Sequence, residues 1–93
     1  MTKVNELNGK KVITLDAFEV GKVDGAEMDN RWSITHLHIS LSKEATAELG
    51  FKKPVLGHVT ICLPVSLVKG VGDVVTLTKE RTALKEVPEC KSI

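Results

Sequence analysis

The stretch FEVGKVDGAEMD, residues 18–29, alternates apolar and polar positions in the way a half-buried β-strand does. Two glycines, Gly21 and Gly25, lie inside this alternation. Glycine weakens an ordinary strand interior, because it costs backbone entropy and packs no side chain. We therefore predict a strand from Glu19 to Met28 that bends, bulges or closely approaches another backbone at one of these glycines.

The following segment, WSITHLHISL at 32–41, predicts another strand. Its even positions are Trp, Ile, His, His and Ser, and its odd positions are Ser, Thr, Leu, Ile and Leu. The apolar face therefore changes sides between Ile34 and Leu37, which is what a β-bulge produces. Bulged strands bend, and bent strands favour a small barrel.

The segment SKEATAELGF at 42–51 is the one good helix signal. Ser42 suits the N-cap position, and Gly50 suits the C′ position after the helix. A helix of only two turns must be held by packing, so it needs an apolar face. Three apolar residues share that face: Leu41, Ala45 and Leu49.

Shorter apolar runs predict three further strands, at about 11–15, 58–63 and 74–78. Pro64 ends the middle one, because proline cannot donate to a ladder. One helical turn is expected at 64–68, and KGVGD at 69–73 predicts a turn. The domain then spans 1–78, and the charged tail, 79–93, either forms a short helix before Pro88 or is frayed.

The composition limits the partners. The 93 residues suffice for one domain, and 13 basic against 12 acidic residues give a net charge of +1. Direct binding to nucleic acid or to an anionic membrane normally requires a basic excess, so we expect neither. The longest apolar run, 59–68, is too short to insert across a bilayer. We expect a cytoplasmic protein, since no leader is visible, with Cys62 and Cys90 as free thiols.

The segments in this order resemble a PRC-barrel domain. The resemblance covers about residues 5–78, and its most specific pieces are GKKVIT, EVGKV and LPVSLVKGVGDVVTL. It implies a mainly β fold, a small antiparallel barrel of about six strands. The segment 42–57 departs from the commonest family pattern and adds one short inserted helix.

The resemblance also implies a role as a docking module. The family includes the cytoplasmic domain of the photosynthetic reaction-centre H subunit and the C-terminal domain of the ribosome maturation factor RimM. This chain is most similar to the stand-alone archaeal PRC-barrel proteins, some of which are cell-division adaptors acting with FtsZ and SepF. We therefore expect a protein–protein adaptor, with a ribosome-maturation or RNA-processing-associated factor as the alternative.

The HLH motif is the one pattern that suggests a metal. His36 and His38 share a face of their strand, and His58 could supply a third zinc ligand. However, no acidic ligand stands at a telling spacing, and structural zinc sites usually include cysteine. We interpret the histidines as a polar outer face, and we expect no metal and no cofactor.

No arrangement of residues suggests catalysis. His58 and Cys62 lie four apart on a predicted strand, which places them about 13 Å apart. That distance is beyond hydrogen-bond reach for a nucleophile and its base. We therefore expect no catalytic residues and no enzymatic activity.

Apolar residues expected at the surface are the candidates for a partner interface. Trp32 has two interpretations: it closes one end of the barrel, or it is a partly exposed anchor for a partner. The inserted helix and the tail supply further apolar side chains, and a homodimer is expected through these or a barrel edge. The candidate partner-binding residues are Trp32, Ala45, Leu49, Phe51, Leu84 and Val87.

Overall fold

The structure of the chain is a computed structural model that describes residues 7–51 and 59–87. It contains six strands, one α-helix and two 3₁₀ helices within these residues. The strands are β1 (Lys11–Ile13), β2 (Glu19–Met28), β3 (Ile34–Leu41), β4 (Thr60–Pro64), β5 (Val68–Val71) and β6 (Val74–Leu77). The α-helix is α1 (Lys43–Glu48), and the 3₁₀ helices are Val65–Leu67 and Arg81–Glu86.

The strands form one mixed sheet in the order β4-β3-β2-β1-β6-β5. Neighbours are antiparallel except β1 and β6, which pair in parallel from Lys11 with Val74 to Ile13 with Thr76. The prediction of a mainly β fold is confirmed, whereas the prediction that the strands are antiparallel is wrong for this pair. Within the described residues β4 and β5 are the two edges, so the sheet is not closed into a barrel.

Strand β2 has the predicted bounds and contains the predicted close approach. A Cβ atom added at Gly21 would lie 1.9 Å from the backbone oxygen of Ser40 on β3, far inside contact distance. Glycine is therefore required for the two backbones to meet here. At Gly25 the nearest atom to an added Cβ is His38 Nδ1 at 3.6 Å, which is ordinary contact.

The registers show the bulges that bend β2 and β3. Val23 pairs with Ile39 and Gly25 with His38, so β2 advances two residues while β3 moves by one. Further along, Glu27 pairs with His36 and Met28 with Ile34, so here β3 carries the extra residue. The second bulge lies between Ile34 and Leu37, which confirms the change of apolar face read from the sequence.

Helix α1 is shorter than predicted but has the predicted caps. The Ser42 hydroxyl accepts a hydrogen bond from the backbone N–H of Ala45 at 3.0 Å. Gly50 has φ +76°, and its N–H donates to the Ala47 carbonyl. The N–H of Phe51 reaches back to the Thr46 carbonyl at 3.1 Å, which completes a Schellman motif. These two bonds satisfy carbonyls that the helix end would otherwise leave unpaired.

Strand β5 was predicted as a turn. It pairs with β6 through Val68 with Leu77 and Val71 with Val75, and only residues 72–73 form the turn. The turn was predicted from its glycines, but Gly70 lies on an edge strand, and no described residue lies within 4 Å of a Cβ added there. An edge tolerates glycine better than the middle of a sheet does, since fewer side chains need to pack against it.

The core is built mainly from β-branched residues and leucine on one face of the sheet. It includes Val12, Val20, Val23, Leu37, Ile39, Leu41, Ile61, Leu63, Val75 and Leu77. Leu84 and Val87, from the segment predicted as a tail, are buried in the same cluster. The described part of that segment therefore packs with the sheet.

An ion pair fastens this C-terminal segment to the β1–β2 loop. Arg81 Nε donates to Asp16 Oδ2 at 2.8 Å, and the backbone N–H of Arg81 donates to Oδ1 at 3.1 Å. The guanidinium also lies 4.5 Å from the ring centroid of Phe18 and pairs with Glu48 at 3.6 Å. Hydrogen bonds from Thr14 and then Arg81 lower the pKa of Asp16 to about 2.

We expect Gly21→Ala to lower the free energy of unfolding by roughly 1–3 kcal/mol, because the new Cβ meets a backbone atom that cannot rotate away. Urea denaturation measures this change. Gly70→Ala is the matched control: no described residue lies within 4 Å of its added Cβ, so its stability should stay within about 0.5 kcal/mol of the parent. An unchanged midpoint for Gly21→Ala would show that the strands do not need this close approach.

A second expectation concerns acid. Because the folded pKa of Asp16 is about 2, below its value of about 3.9 in an unfolded chain, the carboxylate stabilises the fold above that unfolded value. This stabilisation is lost as the pH falls from about 4 to about 2. Asp16→Asn should therefore be less stable than the parent at neutral pH and show a flatter stability profile in this window. Asp73→Asn, which removes an exposed carboxylate, should retain the parent's profile.

Candidate functional site

The turn between β2 and β3, residues 29–33, is organised by Asp29. Its Oδ1 accepts hydrogen bonds from the backbone N–H groups of Arg31 at 2.8 Å and Ser33 at 3.0 Å. Its carbonyl accepts from the N–H of Trp32 at 3.1 Å, and its own N–H donates to the Ser33 carbonyl at 2.9 Å. We call residues 29–33 the Trp32 turn. These four hydrogen bonds of Asp29 hold the backbone of the turn in one conformation.

That conformation places Trp32 in an unfavourable and exposed position. Its φ is +65°, in the left-handed region that bulky side chains rarely adopt, and its side chain is 85% exposed. Of the two interpretations left open by the sequence, closure of a barrel end therefore does not hold. The turn instead holds a large apolar side chain in solvent.

More apolar surface lies beside the turn. Met28, the last residue of β2, is 46% exposed and pairs with Ile34 across the base of the turn. Ile34 also lines an apolar groove of about 290 Å³ between β3 and β5, strands that are not neighbours in the sheet. The other groove residues are Leu7, Leu37, Val65, Val68 and Val71. The Trp32 turn is thus flanked at its base by Met28 and by Ile34, one of the groove residues.

The other predicted partner-binding residues lie inside the fold. Ala45 and Leu49 on α1 are buried in the core, as are Leu84 and Val87 of the C-terminal segment. Phe51 is partly buried and packs against the same core. Their apolar surface is already used within the chain, so Trp32 is the one member of the predicted set that is available for contact.

A second feature occupies the outer face of β2, β3 and β4, where Glu27, His36, His38 and Cys62 lie together; we call it the Glu27 cluster. Glu27 Oε2 is 3.4 Å from His36 Nδ1, and Oε1 is 3.4 Å from His38 Nε2. Ligand atoms of Glu27, His38 and Cys62 all lie within 4.8 Å of one another. Three residue types that bind metals therefore converge on one point.

The registers explain why these residues meet. His38 pairs with Cys62 on β4 and with Gly25 on β2. Because Gly25 has no side chain, the imidazole can lie beside β2, within reach of Glu27 two residues further along. The bulge in β2, between Val23 and Gly25, sets the register that places His36 directly opposite Glu27. Sequence reasoning missed Glu27, because cross-strand neighbours depend on the register, which spacing along one strand cannot reveal.

The imidazole of His38 is not fully satisfied. Among the described residues, His38 Nε2 is a buried side-chain nitrogen that lacks a hydrogen-bond partner. Its 3.4 Å separation from Glu27 allows ion pairing but does not meet hydrogen-bond geometry. Leaving such a group unpaired costs roughly 1–3 kcal/mol, and the nitrogen faces the other two potential ligands.

Cys62 differs from its prediction. It is disulfide-bonded, so the expectation of a free thiol at this position is wrong. The wide spacing of the cysteines favours free thiols, but cysteines that are distant in sequence can form a disulfide in a folded chain. Cys90, the other cysteine of the sequence, and His58, the third predicted histidine, lie outside the described residues.

No protein-family model and no curated protein matches the chain. Among residues 7–51 and 59–87, no helix has the length and apolar character needed to cross a membrane.

We expect Trp32→Gly to raise the free energy of unfolding by roughly 1 kcal/mol, because glycine adopts positive φ without strain and little buried surface is lost. Urea denaturation again provides the measurement. Ser33→Gly, one residue further along and without a positive φ, should instead be neutral or destabilising. A Trp32→Gly protein that is clearly less stable than the parent would show that the indole stabilises the fold rather than being displayed by it.

Proposed function

We propose that this chain is a non-enzymatic interaction module of the PRC-barrel type, which docks a partner protein through the Trp32 turn. The observation that carries the proposal is the exposed tryptophan at positive φ. Backbone strain at an exposed, bulky residue is a feature of functional sites, because folding alone would favour glycine or asparagine there.

The surroundings of Trp32 support docking of an apolar partner segment. Tryptophan is enriched among the residues that dominate binding energy, particularly when it enters a desolvated pocket. The apolar groove, reached through Met28 and Ile34, offers a second contact to the same partner. We propose that Trp32 inserts into a pocket of the partner while an apolar side chain of the partner lies in the groove.

The kind of partner follows from the resemblance to PRC-barrel proteins. We propose cytoplasmic division proteins of the FtsZ and SepF type as the first candidates. A net charge of +1 favours a protein partner over RNA, because RNA contact normally requires a basic excess. A ribosome-maturation role similar to that of RimM is the alternative and would involve ribosomal proteins.

Self-association is part of the proposal. Among the described residues the sheet has two edges, β4 and β5, and an edge strand is a template for pairing with another chain. Val71 on the β5 edge lines the groove, whereas no residue of β4 does. A two-fold pair formed along β4 would therefore leave both the Trp32 turn and the groove available to a second protein. Light scattering of the purified chain measures this directly.

Affinity capture from the native cell tests the docking role, with the tagged parent, Trp32→Gly and Ser33→Gly compared side by side. We expect the parent and Ser33→Gly to retain division proteins and Trp32→Gly to lose them by at least about tenfold, as the loss of a dominant contact would cause.

Two outcomes distinguish the alternatives in this experiment. Ribosomal proteins lost selectively by Trp32→Gly would support the ribosome-maturation role. Division proteins or ribosomal proteins that all three variants retain equally would contradict docking through the Trp32 turn. Because Trp32→Gly is expected to fold at least as stably as the parent, misfolding would not explain a loss of binding.

A further inference from the structure

The Glu27 cluster combines a carboxylate, an imidazole and a sulfur on three adjacent strands. Glu27, His38 and Cys62 each direct one ligand atom to a region in which all three atoms lie within 4.8 Å of one another. In a tetrahedral zinc site with the usual bond lengths, ligand atoms lie roughly 3.5 Å apart. Glu27 and His38 are already separated by 3.4 Å. Side-chain rotations that move the ligand atoms by about 1 Å would bring all three to the separations found in a zinc site.

The chemistry of the three groups also fits zinc. Zinc accepts nitrogen, sulfur and carboxylate oxygen together, whereas magnesium and calcium prefer oxygen alone. His38 Nε2 is buried and has no hydrogen-bond partner within residues 7–51 and 59–87, so it can bind an ion without first breaking a hydrogen bond to any of them. His36 Nδ1 hydrogen-bonds Thr35 Oγ1 at 3.0 Å and also lies 3.4 Å from the second Glu27 oxygen, where its ring can orient the carboxylate as outer-shell groups do.

One group is blocked in the structure. Cys62 is disulfide-bonded, and a metal ligand must be a thiolate. The pairing of Cys62 with His38 across β3 and β4 does not depend on this bond, because the backbone register sets it. Reduction would therefore release a thiol next to an imidazole and a carboxylate that are already in place.

We propose that the Glu27 cluster is a redox-gated zinc site, with Glu27, His38 and Cys62 as protein ligands and water in the fourth position. Gating is a two-electron reduction: the S–S bond of Cys62 breaks, both sulfurs take up a proton, and a dithiol reductant becomes a disulfide. The Cys62 thiol then loses its proton when zinc binds. Oxidation reverses the sequence and releases the ion.

This site departs from the expectation, drawn from the sequence, that the chain binds no metal. That expectation was based on three histidines as candidate ligands, because no acidic residue stands at a telling spacing from them in the sequence. The site also gives the two redox states different roles: in a compartment that keeps thiols reduced, zinc would cross-link β2, β3 and β4, and in an oxidising one the disulfide would form instead. It is independent of docking through the Trp32 turn.

Cobalt substitution tests the proposal, because a Co²⁺–thiolate bond has a charge-transfer band in the near ultraviolet. The metal-free full chain is titrated with Co²⁺ before and after reduction by a phosphine, which brings no thiol of its own. We expect the reduced parent to develop the band with saturation at one ion per chain, and Zn²⁺ to abolish it. The oxidised parent should show no band.

Variants assign the ligands. Cys62→Ser should abolish the band, and Glu27→Gln and His38→Gln should each weaken cobalt binding by at least about tenfold. His36→Ala should keep the band while weakening binding about tenfold, as expected for a positioning residue. Cys90→Ser is the matched control: it removes the other cysteine and should keep the band. Circular dichroism establishes that each variant is folded.

Three results would overturn the proposal. One is the absence of the band in the reduced parent. Another is a band that survives in Cys62→Ser but disappears in Cys90→Ser, since the thiolate would then be the other one. The third is equal cobalt binding in the oxidised and reduced parent, which would remove the redox gate.

Discussion

The contact between the backbones of β2 and β3 at Gly21 determines much of the rest of this structure. Only glycine lets β2 approach the Ser40 carbonyl so closely, since any Cβ would lie 1.9 Å from it. The contact helps to fix the register of the two longest strands, because side chains alternate between faces and a slip of one residue would exchange core and surface. The Val23 and Ile39 pair, which is buried on both strands, depends on that register.

Both candidate functional features follow from this one hairpin. Its bulges place Glu27 opposite His36 and leave Gly25 beside His38, which gathers the Glu27 cluster on one face. Its turn ends in the strained Trp32, held by hydrogen bonds to Asp29. Display of an apolar side chain and assembly of most of the polar cluster therefore use the same two strands, and Cys62 joins the cluster from β4.

The sequence predicted the parts of this hairpin that depend on local rules. The bounds of β2 follow from the alternation of apolar and polar residues. The bulge between Ile34 and Leu37 follows from the change of apolar face. The caps at Ser42 and Gly50 follow from capping chemistry. Longer-range features did not follow. The parallel pairing of β1 with β6 depends on how the chain returns after β5, which local patterns do not encode.

The candidate sites could be predicted in part for the same reason. Trp32 was identified because it lies beside a polar turn and tryptophan is enriched at binding hot spots, although its positive φ could not be foreseen without the hydrogen bonds of Asp29. His36 and His38 were recognised by their spacing. Glu27 was missed because it joins them only across strands, and the disulfide of Cys62 was missed because it depends on tertiary contact.

The parallel pairing of β1 with β6 has a consequence for how the chain is made. Strands β1 to β4 can form their antiparallel part as soon as they leave the ribosome, but the other side of β1 must wait for β6. The roughly 60 residues between Lys11 and Val74 take about 3–12 s to synthesise at usual rates of translation. During those seconds the nascent chain carries an unpaired edge on β1 that the mature fold covers. An unpaired edge is a template for another chain, so slower translation lengthens the time during which a second copy can pair with β1 before β6 covers it.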